Sequence, residues 1–366
     1  MLTTEICIVG AGPAGLRAAI AARDMGACVM LVDSEENLGG QLVKQTHKFF
    51  GSRGQFAGMR GIDIAKLLSD EVTKDSSVTV MSDSQVVGFY PDGTLAIEKD
   101  DCLKLLKPQR VICATGASER MLPFPNNDLP GVYGAGAAQT LMNLYGVRPG
   151  NRVLMIGAGN IGLIVSYQLI QAGIDVAAIV EAMPYVGGYD VHARKIQRAG
   201  IPILTSHTIK AVHGRQVVEG ATVSAVDAQF CIIPDSDRYF QVDTVCLAVG
   251  LTPLTELLWQ ADCKMGYIPE LGGYTPFRNE NYETTRPGVF VAGDLAGIEE
   301  ASSAMIEGEI AGLCAAKSLG YEIDDFEDRI NRAKTELRVL RQGPTGEKIR
   351  QGIASLMQLR EECEGA

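Results

Sequence analysis

Three features of the 366-residue sequence predict an α/β chain built from two doubly wound units. Gly10, Gly12 and Gly15 sit between an apolar strand and a helical run. Gly157, Gly159 and Gly162 repeat that triplet in the same surroundings. An acid closes the next strand each time: Asp33, 23 residues after Gly10, and Glu181, 24 residues after Gly157.

In the first unit, Ile6, Ile8 and Val9 read as a buried parallel strand, because they are short-range, apolar and β-branched. The glycines then spell G-x-G-x-x-G. The first permits a tight turn, the second lets backbone approach a pyrophosphate, and the third lets helix sit against strand. Leu16–Met25 is helical in pattern and stops at Gly26. Val29–Val32 is the next strand, and Asp33 stands where a carboxylate accepts the ribose hydroxyls of an adenosine. Leu38-Gly39-Gly40-Gln41-Leu42 leads into Val43–Gly54, a polar, aromatic and basic loop suited to covering a ligand. Ile62–Val72 is an amphipathic helix. The stretches VTVM, VVGFY and TLAI, from Val78 to Ile97, predict a β-meander turning at Pro91-Asp92-Gly93. Arg110–Ala114 is a buried strand running into Thr115-Gly116.

Leu122–Gly131 is rich in Pro and Asn and reads as a crossing or linker. Gly134–Leu144 is a helix, ended by Gly146 and Pro149-Gly150. The plan then repeats. Arg152–Ile156 is a strand, Leu163–Gln171 a helix stopped by Gly173, and Val176–Val180 a strand closed by Glu181. Gly187-Gly188 matches the earlier Gly-Gly. A second β-rich stretch comes next (IPILTS, ATVSAV, YFQVD), and Val245–Val249 with Gly250 echoes VICATG. Such an ordered repeat implies a duplicated domain and two dinucleotide sites.

In the last third, Gly288–Asp294 is a strand ending in Gly293-Asp294, and Ala301–Ala316 is a helix with small residues on one face. An acid between a strand end and a helix N-terminus suits a polyol hydroxyl. Ile323–Arg341 and Glu347–Glu362 are charged amphipathic helices separated by Gly343-Pro344. They read either as a solvated pair packed on the body or as a docking surface.

Composition narrows the function. Hydrophobic residues make up 46% and charged residues 21%, as in folded globular chains of two or three domains. The net charge of −11 argues against nucleic acid and against an anionic membrane surface. It leaves room for phosphates bound locally at helix N-termini. The longest apolar candidate, Val153–Val165, is broken by glycines, so no membrane span is expected. Met1–Glu5 is too short for a secretory leader. The nine cysteines form no C-x-x-C and no metal-type spacing, so no metal site is expected. Most stand in apolar strands, where Cys acts as a small hydrophobe, and a reducing cytoplasm is the expected compartment.

GAGPAG with Asp33, Gly39-Gly40-Gln41, ATGA at 114–117, GAGNIG with Glu181, and VFVAGD at 289–294 resemble the FAD- and NAD(P)-dependent pyridine-nucleotide oxidoreductases. The resemblance covers about residues 5–320. It implies two Rossmann-like dinucleotide-binding domains in the thioredoxin-reductase layout, with an NAD domain (119–250) inserted in an FAD domain (1–118 and 251–320), and a helical C-terminal extension (321–366). The stretch 114–139 is similar to the FAD-carrying subunit of heteromeric amine and opine dehydrogenases, including hydroxyproline dehydrogenase, hydrogen cyanide synthase and sarcosine oxidase.

By that resemblance FAD is expected on Gly10, Gly12, Pro13, Ala14, Gly15, Asp33, Ser34, Gly40, Gln41, Thr46, Val86, Ala114, Thr115, Gly116, Gly293 and Asp294. The second nucleotide is expected on Gly157, Gly159, Asn160, Ile161, Gly162 and Glu181. Glu181, with no Arg in Ala182–Gly188 to take a 2′-phosphate, favours NAD(H) over NADP(H). A second site holding ATP, or kept only by the fold, stays open. Gln41, Lys44 and His47 are the candidates at the flavin face, with Thr46 and Lys48 beside them; His47 could act as acid or base. His192, His207 and His213 read as structural or solvated.

Two departures matter. Without a C-x-x-C, a disulfide relay has no attacking and resolving pair, so thioredoxin reduction is not expected. The tail carries only Cys363, so it cannot hold an iron–sulfur cluster alone. Electrons must pass by NAD, by a small molecule, or by a partner dehydrogenase subunit or iron–sulfur protein. The chain is thus expected to be an oxidoreductase, in an oligomer. The alternative is a non-catalytic FAD-carrying subunit whose second site is structural and whose tail docks.

Overall fold

The computed structural model describes residues 1–49, 52–343 and 346–364. Phe50 and Gly51 of the Val43–Gly54 loop, and Pro344 of the break between the tail helices, lie outside the described residues. The chain divides into two compact units, Met1–Ser118 with Thr252–Ala366, and Glu119–Leu251.

In the first unit, β1 (Leu2–Val9), β2 (Val29–Val32), β3 (Val78–Met81), β4 (Gln85–Phe89), β5 (Leu95–Lys99) and β6 (Cys102–Cys113) form a sheet ordered β3-β2-β1-β6-β5-β4. Strand Val289–Val291 also pairs with β6, in parallel. The inner strands are parallel and apolar on both faces: Ile6, Ile8, Leu31 and Ile112 are all fully buried.

Two expectations need correction here. Val78–Met81 is not part of the meander; it pairs in parallel with β2, Val29 opposite Val78. Its alternating pattern suits an edge strand of either kind, so pattern alone could not place it. The strand expected at Arg110–Ala114 starts at Cys102 and runs for 12 residues. Lys104, Lys107 and Pro108 hid its first half. That half pairs antiparallel with β5, Lys99 opposite Cys102, while Leu106–Cys113 runs parallel to β1. One strand therefore serves both the meander and the parallel sheet.

Helix α1 (Pro13–Asp24) crosses the sheet and packs on helix Ala301–Lys317. The two backbones nearly touch. A Cβ on Gly308 would lie 2.0 Å from the Ala14 carbonyl oxygen, and one on Gly312 2.4 Å from that of Ala18. The small residues of the long helix are there for this approach. The tail helices, Phe326–Leu340 and Glu347–Glu364, lie on the same unit. Phe326, Ile330, Ala333 and Leu337 form the buried stripe of the first, and Leu356 of the second packs with Ile268, Leu271 and Phe277.

The second unit holds a five-stranded parallel sheet. Its order is Ile203–Leu204, Asp175–Val180, Arg152–Ile156, Thr244–Leu247, Val132–Gly134. Helices Ala135–Asn143, Asn160–Gln171 and Asp190–Arg198 accompany it. A separate antiparallel sheet is formed by His207–His213, Gly220–Ala225 and Arg238–Phe240. Again the β-rich reading needs correction: Ile203–Leu204 joins the parallel sheet, and His207–His213 is a strand whose polar residues and bulge concealed it. The Leu122–Gly131 segment is no free linker, since Leu122, Phe124 and Leu129 pack on this unit's core. Among the described residues no helix is long and apolar enough to cross a membrane.

Candidate functional site

The two glycine loops are built by the same hydrogen bonds. Gly10 N–H donates to Val32 O (2.8 Å), and Gly157 N–H to Val180 O (2.7 Å). Ala114 N–H donates to Val9 O (2.8 Å), and Ala248 N–H to Ile156 O (2.7 Å). Gly39 N–H donates to Ala11 O, and Gly188 N–H to Ala158 O, both at 2.9 Å. The strand-end acids complete each loop. Asp33 accepts from Ala11 N–H and, at 2.8 Å, from Glu35 N–H. Glu181 accepts from Ala158 N–H (2.8 Å) and Met183 N–H (2.9 Å).

The glycines divide by task. A Cβ on Gly15 would lie 1.8 Å from Gly10 O, and one on Gly162 2.0 Å from Gly157 O. These positions seat helix on turn. A Cβ on Gly12 or Gly159 would meet nothing within 4 Å. Both are N-caps without a side-chain cap, so each leaves a helix N-terminus facing outward, as a pyrophosphate requires. The residues present therefore fit two dinucleotides.

The other expected residues fall around the first loop or beside it. Pro13 opens α1, and Gly40 presses on Gly12, where a Cβ would lie 2.8 Å from its Cα. Thr115 Oγ1 donates to Leu254 O (2.9 Å), and Gly116 O accepts from Leu254 N–H (3.0 Å). Ser34 is exposed and Val86 is half-buried on β4. Gln41 is exposed on the 3-10 turn Gly40–Lys44; Lys44, Thr46 and His47 are half-buried and Lys48 exposed. The His47 ring stacks on Phe49 with centroids 5.7 Å apart. In the second loop, Asn160 Oδ1 accepts from Tyr189 N–H (2.8 Å), while Ile161 is exposed. The remaining histidines serve their own unit. His192 is buried, which lowers its pKa; His207 Nδ1 donates to Thr205 O (2.7 Å); His213 Nε2 bonds Thr222 Oγ1 (2.8 Å).

Asp294 lies just beyond strand Val289–Val291, after Gly293 at φ +72°. A Cβ on Gly293 would lie 2.9 Å from Ala14 Cβ, so this turn presses against the start of α1. Burial pushes the Asp294 carboxyl up to about 7, against the pull of Glu299 N–H, and the Glu307 and Glu299 charges add to the rise. Sequence reasoning missed the cluster behind it: Glu307, Glu299, Arg341, Arg278 and Tyr282. The available signal was Glu307 and Glu309, two acids amid small or apolar residues that run from Ala301 to Ala316. Buried acids need cations: Glu307 has Arg341 of the tail and Arg278, and Glu309 has Arg17 of α1.

No group of His, Cys, Asp and Glu among the described residues is placed to hold a metal. Burial pushes the Cys7 and Cys246 thiols up to about 12, which makes them inert.

The fold and the paired loops define a protein of two Rossmann-like dinucleotide-binding units. The chain belongs to the pyridine nucleotide-disulphide oxidoreductase family, whose model matches residues 4–308. It is an oxidoreductase, and membership implies FAD and a pyridine nucleotide. It is 27% identical over 334 residues to an opine oxidase subunit from Agrobacterium tumefaciens (strain Ach5), covering 86% of this chain and 66% of that one. It is 25% identical to the alpha subunit of sarcosine oxidase from Corynebacterium sp. (strain P-1), covering 87% of this chain and 33% of that one. This chain thus spans two thirds or less of those relatives. The thioredoxin reductase of T. acidophilum shares the fold, with a TM-score of 0.72 and 22% identity over 87% of this chain and 99% of that one.

Proposed function

We propose that the chain is an FAD-dependent oxidoreductase that exchanges hydride with NAD(H), without an active disulfide, and passes electrons to or from a partner subunit or small acceptor. FAD is assigned to the first unit and NAD(H) to the second. The observation that carries this is the pair of glycine loops, alike bond for bond, each with an open second glycine and a strand-end acid.

When bound, the flavin supplies hydride and single-electron chemistry. The chain's residues bind and orient. N–H groups at the N-termini of α1 and helix Asn160–Gln171 take the pyrophosphates. Asp33 and Glu181 accept adenosine ribose hydroxyls, and Asp294 accepts a hydroxyl of the ribityl chain. Gln41 and Lys44 offer donors to the flavin, and His47 holds or moves a proton there. A carboxylate at Glu181 repels a 2′-phosphate, which favours NAD(H).

Calorimetric titration of the FAD-loaded protein with NADH and NADPH tests this. NADH should bind at least about tenfold more tightly, a difference of roughly 1.4 kcal/mol. Tighter NADPH binding would overturn the preference. Binding of neither would favour a second reading, an FAD-carrying subunit with a structural second site. That reading draws on the relatives being named as subunits. A second polypeptide copurifying in stoichiometric amount would strengthen it. A reducing cytoplasm is the proposed compartment.

A further inference from the structure

The C-terminal extension reaches the acid cluster through one side chain. Arg341 caps helix Phe326–Leu340. Its Nη2 lies 2.6 Å from Glu307 Oε1. The same guanidinium forks onto Glu299, with Nε 2.9 Å from Oε1 and Nη2 2.7 Å from Oε2. All three side chains are withdrawn from solvent: Arg341 is 13% exposed, Glu299 10% and Glu307 3%. Tyr282 donates its hydroxyl to Glu307 Oε1 (2.9 Å). Arg278 covers the Tyr282 ring at 4.6 Å and donates to Ala296 O (3.2 Å).

The turn at 293–299 is held at both ends: the Glu307 carboxylate accepts from its first residue, and Arg341 holds the carboxylate of its last, Glu299. Gly293 N–H donates to Glu307 Oε2 at 2.9 Å. Glu299 N–H donates to Asp294 Oδ1 at 3.3 Å. Asp294 sits between these anchors. Burial pushes the Glu307 carboxyl upward, and the Arg341 and Arg278 guanidiniums oppose it. Without Arg341 two buried anions would face Asp294 with one guanidinium fewer to balance them, and the left-handed turn at Gly293 would lose its brace.

We propose that Arg341 is a positioning residue of the flavin site: by clamping Glu299 and Glu307 it fixes the 293–299 turn and so the orientation of Asp294. The extension is then a working part of the first nucleotide site. This rests on the reading of Asp294 as a ligand of FAD.

The test uses the full apoprotein, titrated with FAD and followed by flavin fluorescence, with thermal unfolding of the apoprotein measured in parallel. R341Q should weaken FAD binding about tenfold or more, since charge-assisted hydrogen bonds are lost on both sides of the turn. R341K should recover part of the loss, because one ammonium can still pair a carboxylate but cannot fork. A merely structural role would lower the unfolding midpoint while the folded fraction kept its wild-type Kd, and that result overturns the proposal. Should R341Q fold poorly, the double variant E307Q/R341M removes both charges together; wild-type affinity in that variant also overturns the proposal. D294N separates the two claims. Unchanged FAD affinity in D294N overturns the reading of Asp294 itself. Weak binding in D294N with normal binding in R341Q overturns the clamp alone.

Discussion

The two units repeat one backbone and diverge beyond their last parallel strands. Strand Val289–Val291 lies beside β6 as Val132–Gly134 lies beside Thr244–Leu247, and each leads to a helix. In the second unit that helix is neutralised internally. Glu119 accepts from Gly136 N–H (2.6 Å) and Ala137 N–H (3.0 Å) at its N-terminus. In the first unit the corresponding strand runs into the Gly293-Asp294 turn, and helix Ala301–Lys317 begins without a side-chain cap. Its Glu307 is balanced by Arg278 and by Arg341 of the tail. Sheet construction differs too. β6 serves the meander and the parallel sheet as one strand, whereas in the second unit Asp243 interrupts the run. Its carboxylate accepts from Asn151 N–H and Arg152 N–H at 2.9–3.0 Å, separating Arg238–Phe240 from Thr244–Leu247. The two units thus share one glycine-loop frame, and the segments added around it differ.

The largest expected effect breaks one site at a time. Gly15→Ala would force a Cβ against the Gly10 carbonyl, and Gly162→Ala against that of Gly157. Overpacking of this kind costs about 1–3 kcal/mol or more. Gly15→Ala should yield colourless protein. Gly162→Ala should keep its flavin absorbance and lose NADH binding. Loss of flavin in Gly162→Ala would show that the sites are not separable.

Asp294 gives a pH signature to the first unit. Its pKa is raised from 3.8 to about 7 in the folded protein. A raised carboxyl favours the protonated fold, so its contribution is full below pH 3.8 and is lost as pH rises through about 7. The apoprotein's melting temperature should fall across that window, and Asp294→Asn should flatten the fall. An unchanged slope would remove Asp294 as its source.

A smaller change is expected from Glu181→Arg. It should move the NADH-to-NADPH ratio of apparent affinities toward NADPH by about tenfold, near 1.4 kcal/mol. An unchanged ratio would take Glu181 out of the account. The smallest effect belongs to Glu119→Gln. Loss of a charged helix cap costs about 1 kcal/mol, a few degrees in melting temperature, with FAD affinity untouched. A change in flavin binding would contradict the separation of the two units.

The sequence was most readable where a constraint is local. Gly10, Gly12 and Gly15 act within one turn, so their spacing exposes the strand, turn and helix around them, and the repeat at Gly157 exposes the duplication. Edge strands were less readable. Val78–Met81 and Ile203–Leu204 are short, and only their partners decide between parallel and antiparallel pairing. The loop acids Asp33 and Glu181 announce themselves by distance from a glycine. Glu307 and Arg341 do not, because they lie 34 positions apart on two successive helices and meet only in the packed unit. The small residues of Ala301–Lys317 were visible in the sequence, but the close approach to α1 that requires them was not.

The most direct test of hydride exchange is anaerobic stopped-flow absorbance at the flavin band, mixing the FAD-loaded protein with NADH and, separately, with NADPH. Fast bleaching is predicted with NADH and much slower bleaching with NADPH. Bleaching by neither would contradict a working second site, and would make the second loop a retained scaffold beside a flavin that a partner subunit reduces.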